Sequence, residues 1–176
     1  MKKIQRTTTY DMIKIAMFSA LLTVLSQISF NLPGGIPITL QTFGIFLIGN
    51  LLGPIQGVIS VLVYLLMGIV GIPVFTQFRA GVNQLISPTG GFLIGFLPMV
   101  FIIGLGKKKI FLVKYIYNII GLISCYILGL LMYYYLTKVW LLPSIPFMLL
   151  KDVITCAIAI LFSKELSYRL SFDNHK

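Results

Sequence analysis

The length of its apolar runs constrains this chain more than any other feature. Six stretches, near residues 11–31, 38–53, 55–72, 89–106, 110–137 and 145–164, are made almost entirely of aliphatic, aromatic and small residues. A helix needs about 20 largely apolar residues to cross the hydrocarbon of a bilayer, with about 17–25 observed. The breaks between the runs carry turn chemistry: Asn31-Leu32-Pro33-Gly34-Gly35, Gly53-Pro54, Pro88-Thr89-Gly90-Gly91 and Leu142-Pro143-Ser144-Ile145-Pro146. Composition agrees, since only 10% of the 176 residues are charged, against about 25% in a soluble domain. No single soluble core of this size hides so much apolar side chain, so a bilayer must take up the remainder. The sequence predicts an all-α integral membrane protein: six transmembrane helices in one domain. The second run is short enough to be tilted or partly re-entrant. The first follows a basic N-terminus without a small-residue cleavage site, and is expected to stay attached as a helix.

Charge placement predicts orientation. A net charge of +10 is the kind of footprint that phosphate binding leaves, but its distribution points to lipid instead. Eleven of the fourteen Lys and Arg lie near the N-terminus, in the Lys107-Lys108-Lys109 run with Lys114, or near the C-terminus. Arg79, Lys138 and Lys151 lie elsewhere. By the positive-inside rule both termini are cytoplasmic, and the outer side holds loops 32–37, 73–88 and 138–145. The expected location is the bacterial cell membrane, and nucleic acid is not an expected partner.

Several chemistries lack their residues. Gly106-Lys107 has neither the earlier glycine nor the following hydroxyl of a nucleotide-binding loop. The acids are only Asp11, Asp152, Glu165 and Asp173, too few for an intramembrane proton relay. Cys125 and Cys156 sit in apolar stretches without metal-ligand spacing, and the only histidine, His175, is in the polar tail. An enzyme is therefore not expected, and any energy source belongs to a partner.

The polar residues that remain gather on the predicted outer side. Asp152 lies near the outer end of the last run, where a carboxylate is a pocket acceptor for a donor-rich ligand, half of a structural ion pair with Lys151 or Arg79, or an acid at a hydrated helix start that favours the dipole. Thr39 and Thr42 share a helical face with Gln41 beside it, and can hydrogen-bond a ligand or a neighbouring helix. Loop 73–88 carries Thr76, Gln77, Arg79, Asn83, Gln84 and Ser87 beside Phe75 and Phe78, and is longer than a connector requires. In the first run Ala16 and Ala20 form a small-x-x-x-small pattern that admits the close approach of another helix, from within the chain or from a partner.

Four stretches together carry a family resemblance. They are Ala20-Leu21-Leu22-Thr23-Val24-Leu25-Ser26-Gln27-Ile28, Pro37-Ile38-Thr39-Leu40-Gln41-Thr42-Phe43-Gly44, Gly68-Ile69-Val70-Gly71-Ile72-Pro73-Val74-Phe75 and Ser87-Pro88-Thr89-Gly90-Gly91-Phe92-Leu93-Ile94-Gly95-Phe96. In this order they resemble the BioY family, the biotin-specific S components of energy-coupling factor transporters, over about residues 12–165. The resemblance implies a vitamin pocket open to the outside and closed by the loops after the first and third helices. It also implies a transmembrane coupling subunit, which the face with Ala16 and Ala20 meets, and two ATPase subunits that use the ATP, with no cofactor in this chain. In that family the acid at Asp152 is usually followed three positions later by a lysine that helps hold biotin. Here that position is Thr155. Neighbouring helix residues point about 100° apart whereas i and i+3 share a face, so Lys151, next to Asp152, is not expected to replace that lysine, which makes Arg79 the expected partner of the biotin carboxylate. Asp152, with Asn83 or Gln41, is expected to meet the ureido ring. Gln77, Thr39, Lys151 and Thr155 complete the expected ligand-binding set, and a biotin precursor or another vitamin is the alternative ligand.

Overall fold

The structure, a computed structural model, describes residues 9–31, 37–140 and 144–172. Six main helices, all apolar, form the bundle: α1 (Thr9–Gln27), α2 (Gln41–Leu52), α3 (Pro54–Val70), α5 (Gly90–Leu105), α6 (Phe111–Thr137) and α7 (Ile145–Phe172). A single turn of helix, α4 (Asn83–Ile86), precedes α5. By length and composition α1, α6 and the Ile145–Leu166 part of α7 are long and apolar enough to cross a membrane, whereas α2, α3 and α5 are shorter.

Polarity runs opposite to that of a soluble fold. Exposed positions include Ile55, Leu66, Val70, Leu112, Ile127, Leu131, Leu161 and Phe162, while Ser19, Asn50, Ser60, Asn118 and Asp152 are buried. Buried polar groups need partners when water is absent, and these have them. Asn50 Nδ2 donates to Asn118 Oδ1 at 2.9 Å, tying α2 to α6. Ser19 Oγ donates to Ser60 O at 2.7 Å, tying α1 to α3.

The first run ends earlier than the sequence predicts. Instead of one helix over 11–31, α1 stops at Gln27, and Ser29–Asn31 (β1) pairs antiparallel with Pro37–Thr39 (β2). The ladder continues where Leu40 N–H donates to Ile28 O at 3.2 Å. Proline fits the first position of such a strand, because it has no N–H to contribute and its φ is already close to extended. The expected outer loop 32–37 lies outside the described residues, except for Pro37.

Helix α2 is the short second run, and its twelve residues span about 18 Å, less than the roughly 30 Å of a hydrocarbon core. It needs no lipid-facing surface of its own. Ile45, Phe46, Leu47, Ile48 and Asn50 are all buried, with α1, α3, α5 and α7 packed around them. Close packing also explains the Pro88–Phe96 motif. A Cβ placed on Gly95 lies 3.0 Å from Cys125 Cα, and one on Gly91 lies 2.6 Å from Leu128 O, so α5 meets α6 backbone to backbone.

Candidate functional site

The site starts from the last helix. Asp152, 1% exposed, is carried by the first turns of α7 where they face α2 and α6. A buried carboxylate is costly unless it is paired and hydrogen-bonded. Here Oδ1 accepts from Thr42 Oγ1 at 2.6 Å, and Lys151 Nζ lies 2.7 Å from the same oxygen. Oδ2 accepts from Tyr126 Oη at 2.7 Å. The ammonium of Lys151 also donates to Thr42 Oγ1 and to Thr39 O, each at 2.8 Å. A carboxylate offers about four lone-pair positions, and these partners occupy three. Among the described residues none takes the fourth, on Oδ2, which can accept one further hydrogen bond.

These groups line a cavity of about 250 Å³. That is near the lower end for small-molecule sites, which run from about 300 to 1,000 Å³. One wall is β2 and the start of α2 (Pro37, Ile38, Thr39, Gln41, Thr42); a second is the segment after α3 (Phe75, Thr76, Gln77, Arg79) with Gln84. Apolar side chains from Phe92, Leu93 and Phe96 on α5 and Met148 on α7 complete the lining with Thr89, Cys125, Tyr126, Lys151 and Asp152. The close α5–α6 approach sets one edge of this surface, with the rings of Phe92 and Tyr126 edge to face at 5.9 Å.

The segment after α3 is held by its own chemistry. Gly71 ends α3 with φ 107°, a left-handed cap that costs glycine little, and its N–H reaches Gly68 O and Met67 O. The ring of Phe75 then lies on Gly68, where any Cβ would collide with it. Tyr64 meets Phe75 edge to face at 5.6 Å, and its hydroxyl accepts from Gln41 Nε2 at 2.7 Å and donates to Val74 O at 3.3 Å. Gln41 Oε1 in turn accepts from Thr39 Oγ1 at 3.1 Å.

Of the residues singled out from sequence, Asp152, Arg79, Gln41, Thr39, Lys151 and Gln77 line one cavity. Two do not. Asn83 is exposed on α4, outside the lining, and its neighbour Gln84 faces the cavity instead. Thr155 is buried but turned into its own helix, donating to Asp152 O at 3.2 Å. Lys151 does reach the cavity, contrary to the angular argument, because a lysine stem of four methylenes bends its ammonium back toward Asp152. Tyr126 and Thr42, the two hydroxyl donors on Asp152, are missing from the set expected from sequence. Thr42 does not share a helical face with Thr39 as the sequence predicts, because Thr39 belongs to β2 and α2 begins at Gln41; the ammonium of Lys151 joins them instead. Nothing marked Tyr126 among the nine tyrosines.

The cavity carries Arg79 and Lys151 against Asp152, one net positive charge. Arg79 is exposed, and its Nη2 donates to Gln77 Oε1 at 3.1 Å. At the other end of the bundle, Lys107 Nζ donates to Leu52 O at 3.3 Å, close enough to Lys14, Lys108 and Lys114 to feel their charge. Among the described residues no group of three or more His, Cys, Asp or Glu could hold a metal ion.

Residues 1–172 match the BioY family. The chain belongs to the BioY family. Three relatives match along more than nine-tenths of their own length. A probable biotin transporter BioY of Pyrococcus horikoshii is 37% identical, covering 86% of this chain and 93% of the relative. The biotin transporter BioY of Thermotoga maritima is 36% identical over 88% of this chain and 96% of its own length. The biotin transporter BioY2 of Lactococcus lactis is 34% identical over 97% of both. Among solved structures, the S component for biotin from an ECF-type ABC transporter superposes with a TM-score of 0.81, at 25% identity, over 96% of this chain and 95% of that one. BioY proteins are transporters and not enzymes, and this member is a multi-pass membrane protein.

Proposed function

We propose that the chain is the S component that captures biotin at the outer face of the bacterial cell membrane and delivers it through an ATP-driven energy-coupling factor transporter. The observation that carries this reading is the Asp152 cavity, a buried acceptor at one end and an uncommitted net positive charge from Arg79, within a family whose relatives are named biotin transporters. Biotin is a monoanion with a neutral, donor-rich ureido ring. One ureido N–H fits the open position on Asp152 Oδ2, Gln84 and Thr89 lie within the same lining, and the aromatic wall of Phe92 and Phe96 suits the thiophane ring and valeryl chain. Arg79 then holds the carboxylate, since a guanidinium presents two parallel donors to it.

Topology supports the same reading. The basic Lys107 cluster lies at the end of the bundle opposite the cavity, so six spans with cytoplasmic termini put the cavity outside. Tyr134 stacks on Trp140 at 4.4 Å, near the outer end of α6, as aromatic residues do at a membrane interface. Ala16 and Ala20 are exposed on α1 and form the surface that meets the transmembrane coupling subunit, to which two ATPase subunits supply ATP hydrolysis.

Titration of the purified protein with biotin tests the reading. Binding well below the micromolar range, weakened in both Asp152→Ala and Arg79→Ala, is the expected outcome. Binding that both variants retain unchanged defeats the site assignment. Tighter binding of another vitamin replaces the ligand.

A further inference from the structure

One side chain outside the cavity grips the wall that carries Arg79. Gln27 is the last residue of α1 and is absent from the cavity lining. Its amide faces the segment after α3 with both ends. Nε2 lies within donating distance of Phe75 O at 3.1 Å and Val74 O at 3.3 Å, and Oε1 accepts the backbone N–H of Phe78 at 2.9 Å. Ser26, the residue before it, places its hydroxyl 2.5 Å from Val74 O.

The segment it grips does not hold this shape by local preference. Gln77 and Phe78 are consecutive non-glycine residues with φ of 60° and 56°. A side chain makes that region unfavourable, and such residues persist where their surroundings over-determine them. The tight loop they form closes through Phe75 N–H to Arg79 O at 3.0 Å, which sets the direction in which Arg79 leaves the backbone. Gln27 Oε1 is the acceptor for the Phe78 N–H of this strained pair. The same side chain therefore fixes both the entry of the loop at Val74 and Phe75 and its apex at Phe78.

We infer that Gln27 is a positioning residue for ligand retention: it holds the Phe75–Arg79 wall in place, so an amide that never touches the ligand sets how fast the ligand escapes. The inference rests on the biotin reading for its ligand, and on hydrogen-bond geometry alone for the wall.

The experiment compares wild type with Gln27→Met, which keeps the length of the side chain and removes both hydrogen-bonding ends, and with Gln27→Asn, which keeps the amide one methylene short. Amide hydrogen exchange is read on ligand-free protein, and biotin association and dissociation are read on the same preparations. In Gln27→Met, exchange of the 75–79 amides rises about tenfold or more while the rest of the bundle stays within about twofold. Biotin dissociation quickens by about the same factor, association stays within about twofold, and Gln27→Asn falls between. Placed in an Arg79→Ala background, Gln27→Met loses most of its effect on dissociation, because the group it positions is gone.

Unchanged dissociation despite a loosened loop overturns the inference, as does a full additive effect in the Arg79→Ala background. If Gln27→Met does not fold, Gln27→Asn is read in the same assays against the same criteria. A wild-type protein that fails to bind biotin overturns the biotin reading instead. In that case exchange decides the positioning role, and no local rise at 75–79 overturns it.

Discussion

Replacing Asp152 by asparagine tests the chemistry of the cavity with little change of shape. In the wild type Oδ1 faces the Thr42 hydroxyl at 2.6 Å and the Lys151 ammonium at 2.7 Å, and Oδ2 faces the Tyr126 hydroxyl at 2.7 Å. An amide keeps one acceptor, which Lys151 and Thr42 claim, and turns the other position into an N–H donor. The ureido N–H of biotin then meets a donor where it had an acceptor. Hydrogen bonds to charged groups contribute about 1.5–3 kcal/mol, so affinity for biotin falls about 10- to 150-fold at 1.4 kcal/mol per decade. Stability falls as well, since removing one partner of a buried pair costs about 3–5 kcal/mol. That cost is reduced here because the Lys151 side chain is 21% exposed and still reaches Thr39 O. Isothermal titration of wild type and variant in the same detergent gives the affinities, and thermal unfolding without ligand reports the fold. A variant that remains folded and binds biotin within about twofold of wild type refutes the assignment of Asp152 as an acceptor.

Further outcomes follow from other parts of the structure. Arg79→Ala should lower affinity for biotin while leaving its methyl ester nearly unaffected, and equal losses for both would remove Arg79 from the carboxylate. Gly95→Ala forces a Cβ to within 3.0 Å of Cys125 Cα, an overpacking that costs about 1–3 kcal/mol and lowers the unfolding temperature; an unshifted transition would show that α5 and α6 have room to part. Burial, followed by the charge of Lys14 and Lys108, pushes the Lys107 ammonium below the ordinary lysine range. The unfolded chain then binds more protons between the two values, so this lysine makes stability rise as pH climbs through its folded value. The slope of unfolding temperature against alkaline pH should become less positive in Lys107→Gln, and an unchanged slope would contradict that sign.

How much was legible in the sequence follows from the range of each signal. The six apolar helices were visible because hydrophobic run length is a local property, and the turn residues at Gly53-Pro54 and Pro88–Gly91 mark real boundaries. The β1–β2 pairing was not, since Ser29–Asn31 and Pro37–Thr39 are three-residue strands whose contact joins residues up to ten positions apart. Asp152 stood out because an acid in an apolar run needs a reason. Tyr126 did not, because its role appears only when the glycines of α5 bring α6 close and its hydroxyl meets a residue 26 positions away. Lys151 was underrated by an argument about Cβ directions, which hold for short side chains and fail for a long flexible one. Gln27 lay inside a recognised stretch, yet its hydrogen bonds to a loop about 50 residues away have no trace in local pattern.

Offering the purified wild-type protein an equimolar mixture of vitamins, then identifying what it retains by mass spectrometry, decides which ligand the Asp152 cavity holds. Biotin at one molecule per chain is the expected result, with its loss from Asp152→Asn. Retention of a different vitamin, or an empty protein after exposure to biotin, would contradict it.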